Sequence, residues 1–249
     1  MALISLLLLA ALLPQLGHSA SVNVGIVNGT EAKPHSRPYM VSLQAGTHHF
    51  CGGFLVSEQF VMTAAHCQNQ VKKWTDVTAV IGAHNLKTNN FQRIQVTEKY
   101  SHPNFTNDPK NPANDIMLLK LAKPVVNASW ISIPEKDEDF EQNTTCSVAG
   151  WGRTKNSGPA SDVLLEAKVT MLSSKKCKAL LKYPNTLCTD THNGGFCMGD
   201  SGGPLVCNNT AVGIMSFYVK NCVTPLKPYG YTKISGFLPW IKEIMGKMK

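Results

Sequence analysis

The strongest constraint on this chain is how its apolar residues are punctuated. They come mostly in short runs, each cut off by Gly, Pro, Asn or Asp. Tyr39–Leu43, Phe60–Thr63, Val77–Ile81, Ile116–Leu121, Val163–Leu172 and Ala211–Phe217 are the clearest. Runs of this length between turn-forming residues suit β-strands better than helices. Many such strands at short spacing argue for sandwiches or barrels. Heptads, short repeats and low-complexity tracts are missing. Only the C-terminus departs from the pattern. There Phe237, Ile241, Ile244, Met245 and Met248 share one helical face, with Ser235 placed to cap it and Pro239 in its first turn. The expected fold is all-β with one terminal helix, whose apolar face meets the core and not a membrane.

A chain of 249 residues admits one large all-β unit or two small domains. With 16% charged and 43% apolar residues, it has the composition of a globular protein. Its apolar start, Met1 to Pro14, is too short to span a bilayer comfortably and leads to the small residues Ser19, Ala20 and Ser21. That is the pattern of a secretory signal peptide over residues 1–21, although no Lys or Arg precedes the apolar run. A membrane anchor is the competing reading. No later stretch is apolar enough to be a transmembrane helix.

Secretion gives the eight cysteines a meaning, since an even count in an oxidising compartment points to four disulfides. Spacing leaves their pairing open. No Cys-x-x-Cys or Cys/His cluster has zinc spacing, so no metal is expected. The sequons at Asn104, Asn127, Asn143 and Asn208 fit a secreted glycoprotein, whereas Asn28 stands beside a segment expected to dock. The net charge of +8 favours sulfated glycans or anionic surfaces as partners. Lys175, Lys176, Lys178 and Lys182 concentrate that charge, either as a glycan site or as a solvated face. Nucleic acid is not expected as a partner.

Three segments stand out: Thr63-Ala64-Ala65-His66-Cys67, Asn114-Asp115-Ile116-Met117-Leu118-Leu119 and Gly199-Asp200-Ser201-Gly202-Gly203-Pro204. Singly, a His beside a Cys, an Asp before a strand and a Gly-rich loop are weak signals. Together, in the order His, Asp, Ser, they resemble the chymotrypsin-like serine proteases. The resemblance runs from Ile26 to the C-terminus and takes in Cys51, Trp151-Gly152 and Ser216. Pro34-His35-Ser36-Arg37-Pro38-Tyr39-Met40 and the basic charge are similar to the granzymes and mast-cell proteases of leukocyte granules.

The resemblance implies two antiparallel β-barrels with a C-terminal α-helix, the protease domain covering residues 26–249 and the barrels meeting near residues 130–140. It implies that Ser201 is the nucleophile, that His66 takes and returns its proton, and that Asp115 holds the His66 tautomer. Backbone N–H groups of Gly199 and Ser201 would bind the oxyanion. The implied disulfides are Cys51–Cys67, Cys146–Cys207, Cys177–Cys188 and Cys197–Cys222, the last missing from many granule proteases. A monomer acting on proteins or peptides, and answering to protein protease inhibitors, is implied, either secreted directly or stored in leukocyte granules. No cofactor is implied. Some relatives bind calcium in the loop that here runs from Ala83 to Arg93, but this loop has no carboxylate.

Two further implications concern activation and specificity. Ile26-Val27-Asn28-Gly29 is similar to the family's mature N-terminus, so residues 22–25 form a propeptide and the freed ammonium of Ile26 pairs with Asp200. Gly25 is a poor trypsin site, and Val22-Asn23 and Val24-Gly25 suit a dipeptidyl peptidase instead. The pocket for the P1 side chain has Gly195 at its floor, which disfavours trypsin-like cleavage, and Tyr218 and Tyr229 at its walls, with Ser216 also binding substrate and Phe217 beside an adjoining subsite. Two phenol rings would leave a shallow pocket for small apolar residues. Turned outward, they would leave a chymase-like one, and spacing does not fix their direction. A catalytically silent, glycan- or microbe-binding relative is the rival on the same fold. An esterase is the other rival, but Gly199-Asp200-Ser201-Gly202-Gly203 breaks the Gly-x-Ser-x-Gly spacing.

Overall fold

The computed structural model describes residues 26–108, 113–153, 155–218 and 220–246. The signal-peptide and propeptide readings, and Met248, lie outside these residues.

Six strands form the first barrel: β2 (Met40–Ala45), β3 (His48–Leu55), β4 (Phe60–Thr63), β5 (Val77–Ile81), β6 (Gln92–Ser101) and β7 (Met117–Leu121). They close in the order β2-β3-β4-β7-β6-β5, every pair antiparallel, and β5 returns to β2 through Val41–Ile81. The expected runs Phe60–Thr63 and Val77–Ile81 coincide with β4 and β5. Closure explains why β4 and the core of β7 bury nearly every residue. Their inner faces fill the barrel, and their outer faces meet the rest of the molecule.

The second unit contains β1 (Thr30–Glu31), β8 (Thr145–Gly150), β9 (Leu165–Thr170), β10 (Thr186–Thr189), β11 (Pro204–Cys207), β12 (Thr210–Phe217) and β13 (Tyr229–Lys233). It is a seven-stranded antiparallel sheet in the order β1-β9-β8-β11-β12-β13-β10, a half-barrel beside the closed one. Its two ends are laced together beyond the regular ladders. Met171 bridges Thr189, Leu172 N donates to Cys188 O at 2.9 Å, and Asp190 N donates to Thr170 O at 2.9 Å.

Both chain ends cross between units. The β1 strand pairs with β9 of the second sheet, through Thr30–Glu166. The terminal helix α2 (Leu238–Gly246) sends Ile241 into the first barrel's core, and Phe237, just before it, joins the same cluster. Phe237 and Trp240 also meet His102 edge-on, at ring separations of 5.1 and 5.2 Å. Ser235 does not cap this helix. It lies in a 3-10 turn, Ile234–Phe237, and its hydroxyl donates to Asp137 at 2.7 Å. The lysine-rich stretch is a second helix, α1 (Ser174–Leu181). Cys177 and Leu181 are buried beneath it, Lys175, Lys176 and Lys178 are exposed on it, and Lys182 is exposed at its end.

All four implied disulfides are formed. Asn104, Asn127, Asn143 and Asn208 are all exposed. The seam between the units is a separate apolar cluster. Met40 and Val80 from the first barrel meet Ala149, Trp151 and Leu164 from the second. Trp151 is fully buried there, and its indole N–H donates to His84 O at 3.0 Å. Trp151→Ala is therefore expected to cost about 3–5 kcal/mol, because a seam gripped from both sides collapses poorly. Denaturant unfolding with disulfides intact measures this, and Trp151→Phe should recover much of the loss.

Candidate active site

The strand register explains why His66 and Asp115 meet. Antiparallel β4 and β7 pair Thr63 with Met117. Continuing past Thr63 and stepping back from Met117 lead to the same end of the barrel. His66 sits there in a 3-10 turn, Ala65–Gln70, and Asp115 stands just ahead of β7. Asp115 is buried and accepts three bonds. One comes from His66 N at 2.8 Å, one from His66 Nδ1 at 2.7 Å and one from the Ser216 hydroxyl. Thr232 Oγ1 also donates to the Asp115 carbonyl at 2.9 Å.

Burial drives the two pKa values against ionisation, but the pair's own attraction outweighs it. The His66 imidazole lies above its ordinary 6.5 because the Asp115 charge and hydrogen bond overcome desolvation. The Asp115 carboxyl lies below its ordinary 3.8, with desolvation overcome by His66 and by the Ser216 and backbone bonds. The contact fixes Nδ1 as a donor, leaving Nε2 with its lone pair.

Ser201 lies on a loop fastened to both units. Gly52 N, on β3, donates to Ser201 O at 2.8 Å, while Gly202 N donates to Met215 O, on β12, at 2.9 Å. Gly199 has φ +96°, and a Cβ there would meet Gly152 Cα at 3.0 Å. Among the described residues, no acceptor engages the N–H of Gly199 or of Ser201. Asp200, between them, is fully buried. Its carboxylate takes N–H bonds from Gly152 at 2.8 Å and Cys197 at 3.0 Å. Burial pushes this carboxyl up to about 7, with those two bonds only partly opposing it. Ile26 is fully buried near the same region, and its neighbour Val27 exchanges backbone bonds with Gly195 at 3.0 and 3.2 Å.

The rings expected at the P1 pocket are both turned inward. Tyr229 is fully buried, and its hydroxyl donates to the Cys222 carbonyl. A Cβ on Gly195 would lie 2.0 Å from Tyr229 Cζ, so the ring rests directly on Gly195. Tyr218 is half-buried beside it, against Val27, Cys197 and Cys222. Phe217 turns its ring onto Gly230 and toward Tyr183, at a ring separation of 5.3 Å. Ser216 spends its hydroxyl on Asp115, so any contact with substrate falls to its backbone.

Two residues of this site escape sequence reasoning. Phe196 is buried among these rings, 5.2 Å from those of Tyr229 and Tyr231 and 6.0 Å from that of Tyr218. Its place directly after Gly195 is the signal that points to it. His49 bonds Gly199 O through Nε2 at 2.9 Å and Ser42 Oγ through Nδ1 at 2.8 Å. Burial pulls its pKa down to about 4, so the ring is neutral near pH 7. Nothing in the local sequence marks it.

Two clefts flank Tyr218. One, of about 370 Å³, reaches Ser201, Gly199, Met198 and Arg153. The other, of about 320 Å³, reaches His66, Phe105, Ser216 and Phe217. The only grouping of metal-type ligands among the described residues is Cys51, Cys67 and His66, and its two sulfurs are bonded to each other. Among the described residues no helix is long and apolar enough to cross a membrane.

Comparison with known proteins agrees with this geometry. The trypsin family model matches residues 26–241. Bovine duodenase-1 is 40% identical over 261 aligned residues, covering 99% of this chain and 98% of the relative. Human granzyme B is 40% identical over 235 aligned residues, covering 88% and 91%. Among solved structures, human heparin binding protein superposes with a TM-score of 0.80 at 32% identity, covering 90% of this chain and 98% of that one. Mouse neuropsin gives 0.79 at 34% identity, covering 88% and 100%. This chain belongs to the trypsin family of serine endopeptidases.

Proposed function

We propose that the chain is a secreted, granule-stored endopeptidase whose nucleophile is Ser201 and whose P1 pocket is largely filled by its own side chains. The observation that carries the catalytic part is the buried His66–Asp115 contact, at 2.7 Å, beside a serine loop with two uncommitted N–H groups. Ser201 Oγ attacks the scissile carbonyl as His66 Nε2 takes its proton. The oxyanion that forms is held by the N–H groups of Gly199 and Ser201. His66 then gives the proton to the leaving amine, leaving an acyl-enzyme on Ser201. Water, activated by the same imidazole, releases the acid and restores the hydroxyl. Asp115 stays ionised throughout and stabilises the imidazolium.

Residues 1–21 are the signal peptide and 22–25 the propeptide in this reading. Removing them frees the ammonium of Ile26, which pairs with Asp200. The raised pKa of the Asp200 carboxyl supports this role, because such a group gains most from a cation. The filled pocket rests on Phe196, Tyr229 and Tyr218, and leaves room for Ala, Val or Met at P1. Protein inhibitors and a monomeric state follow from the same family reading. The exposed lysines of α1, and the likeness to a protein named for heparin binding, favour a sulfated glycan as an additional partner.

Three measurements test the proposal. A fluorophosphonate should label the activated protein at Ser201, and Ser201→Ala should remove the label while the fold persists. Since His66 must be neutral to accept a proton and its pKa is raised, kcat/KM should fall on acidification with a midpoint above 6.5. Asp115→Asn should lower both that midpoint and kcat, the latter by about 10⁴-fold, the size known for such triads.

Asp200→Asn separates the precursor from the active enzyme. The folded carboxyl holds its proton to about pH 7, while the unfolded one releases it near 3.8. Native stability is therefore lost as pH rises between those values. In the precursor, Asp200→Asn should raise Tm at pH 7 relative to pH 3. In the activated enzyme it should instead abolish most activity. Peptide substrates test the pocket: activity should be weak and confined to small apolar P1 residues. Tyr218→Gly, alone or with Tyr229→Gly, should raise turnover after Phe relative to Ala. Efficient cleavage after Phe or Arg by the unaltered enzyme would overturn the filled-pocket reading.

A further inference from the structure

The largest cavity described, about 460 Å³, shares no residue with the two clefts beside Tyr218. Its walls include Lys33, Arg37, Tyr39, Trp130, Ser132 and Asn209. Trp130 is 54% exposed, the one aromatic residue among the large exposed apolar side chains described. Part of the lining is polar and held by hydrogen bonds. Arg37 Nε bonds Glu166 at 2.6 Å, while its other nitrogens donate to Tyr39 Oη at 3.0 Å and Ser147 Oγ at 3.1 Å. An exposed indole lining the same groove as hydroxyls, a guanidinium and a carboxylate suits a sugar ring. The C–H face of a pyranose stacks on the aromatic plane, and its hydroxyls bond the polar rim.

We infer that this groove is a saccharide shelf, and that its occupant is the N-linked glycan of Asn208 in the same chain. Asn208 and Asn209 form the tight turn between β11 and β12, with φ of +48° and +60°. Asn208 is exposed and its side-chain amide has no partner among the described residues, while Asn209 lines the groove. The sequon's Thr210 bridges Ser132, and Ala211 N donates to Ser132 O at 2.9 Å. One short ladder therefore holds the acceptor turn beside the segment that presents Trp130. A glycan tethered there is at an effective concentration in the millimolar range, so weak stacking is enough to seat it. The seated sugar covers an indole that would otherwise face water, beside the seam that joins the two units.

The test is hydroxyl-radical footprinting of the full chain secreted from mammalian cells, read by mass spectrometry. Asn208 should carry glycan. In Asn208→Gln, or after native-state trimming with a peptide N-glycosidase, Trp130 should oxidise about twofold faster, since a stacked sugar shields one of two ring faces. Trp74 and Trp240 should not change. Trimming the wild-type protein gives the same comparison if Asn208→Gln is poorly secreted. An unmodified Asn208 would overturn the inference. So would equal Trp130 reactivity with and without the glycan, or exposure of Trp130 by Asn127→Gln in place of Asn208→Gln.

Discussion

The carboxylate of Asp200 is the group around which the second unit and the serine loop are arranged. It is fully buried between Gly150 and Gly152, where an added Cβ would come within 2.1 and 2.5 Å of its atoms. Two N–H bonds only partly replace lost water, and the carboxyl's raised pKa reflects that shortfall. The residue cannot turn outward without freeing the backbone on both sides. Its own N–H holds Cys197 O at 3.0 Å, and its carbonyl takes Gly203 N at 3.0 Å. Gly199 and Ser201 therefore inherit their conformations from where Asp200 sits. An energetic deficit at one buried group is thus coupled to the backbone geometry of the residues on either side of it.

The aromatic pocket shows a related exchange between stability and use. In the second unit, Tyr229, Phe196 and Tyr231 belong to the same buried cluster as Ile26, Met215 and Leu205. The space above Gly195 has become core. Filling it adds buried apolar area and a hydrogen bond from Tyr229 to Cys222, and tightens the loop closed by Cys197–Cys222.

Much of this was legible in the sequence. The strands at Phe60–Thr63 and Val77–Ile81 read directly, because short apolar runs between turn-formers have one good solution. The meeting of His66 with Asp115 was legible because their neighbours form a pattern, not because either residue is unusual. What escaped reading has a common cause: it depends on distant register. Ser235 looked like a cap from its place before the helix, but Asp137 lies far away in sequence and claims its hydroxyl. The crossing of β1 onto β9 and of Phe237 into the first barrel's core cannot be seen in local periodicity. Phe196 could have been read from its position after Gly195. The direction of Tyr229 could not, because it is set by Phe196, Cys222 and the missing side chain of Gly195 together.

His49 is the sharpest example of function hidden from sequence. Its imidazole is the inner end of a polar chain that runs along the face of β2 opposite the core residues Val41 and Leu43. Arg93 donates to Gln44 Oε1 at 2.8 Å, Gln44 donates to Ser42 Oγ at 3.1 Å, and Ser42 meets His49 Nδ1 at 2.8 Å. Gly199 O can only accept, so the neutral ring must present N–H at Nε2 and take the Ser42 hydroxyl proton at Nδ1. The single ring proton therefore sits on Nε2, facing Gly199 O at 2.9 Å. The chain thereby fixes a tautomer, and the tautomer fixes the peptide that follows Gly199. Burial, which keeps the ring neutral, is what makes the direction unique: a doubly protonated ring would force Ser42 to give up its donor role. An exposed arginine on β6 is in this way connected, bond by bond, to the loop that carries Ser201.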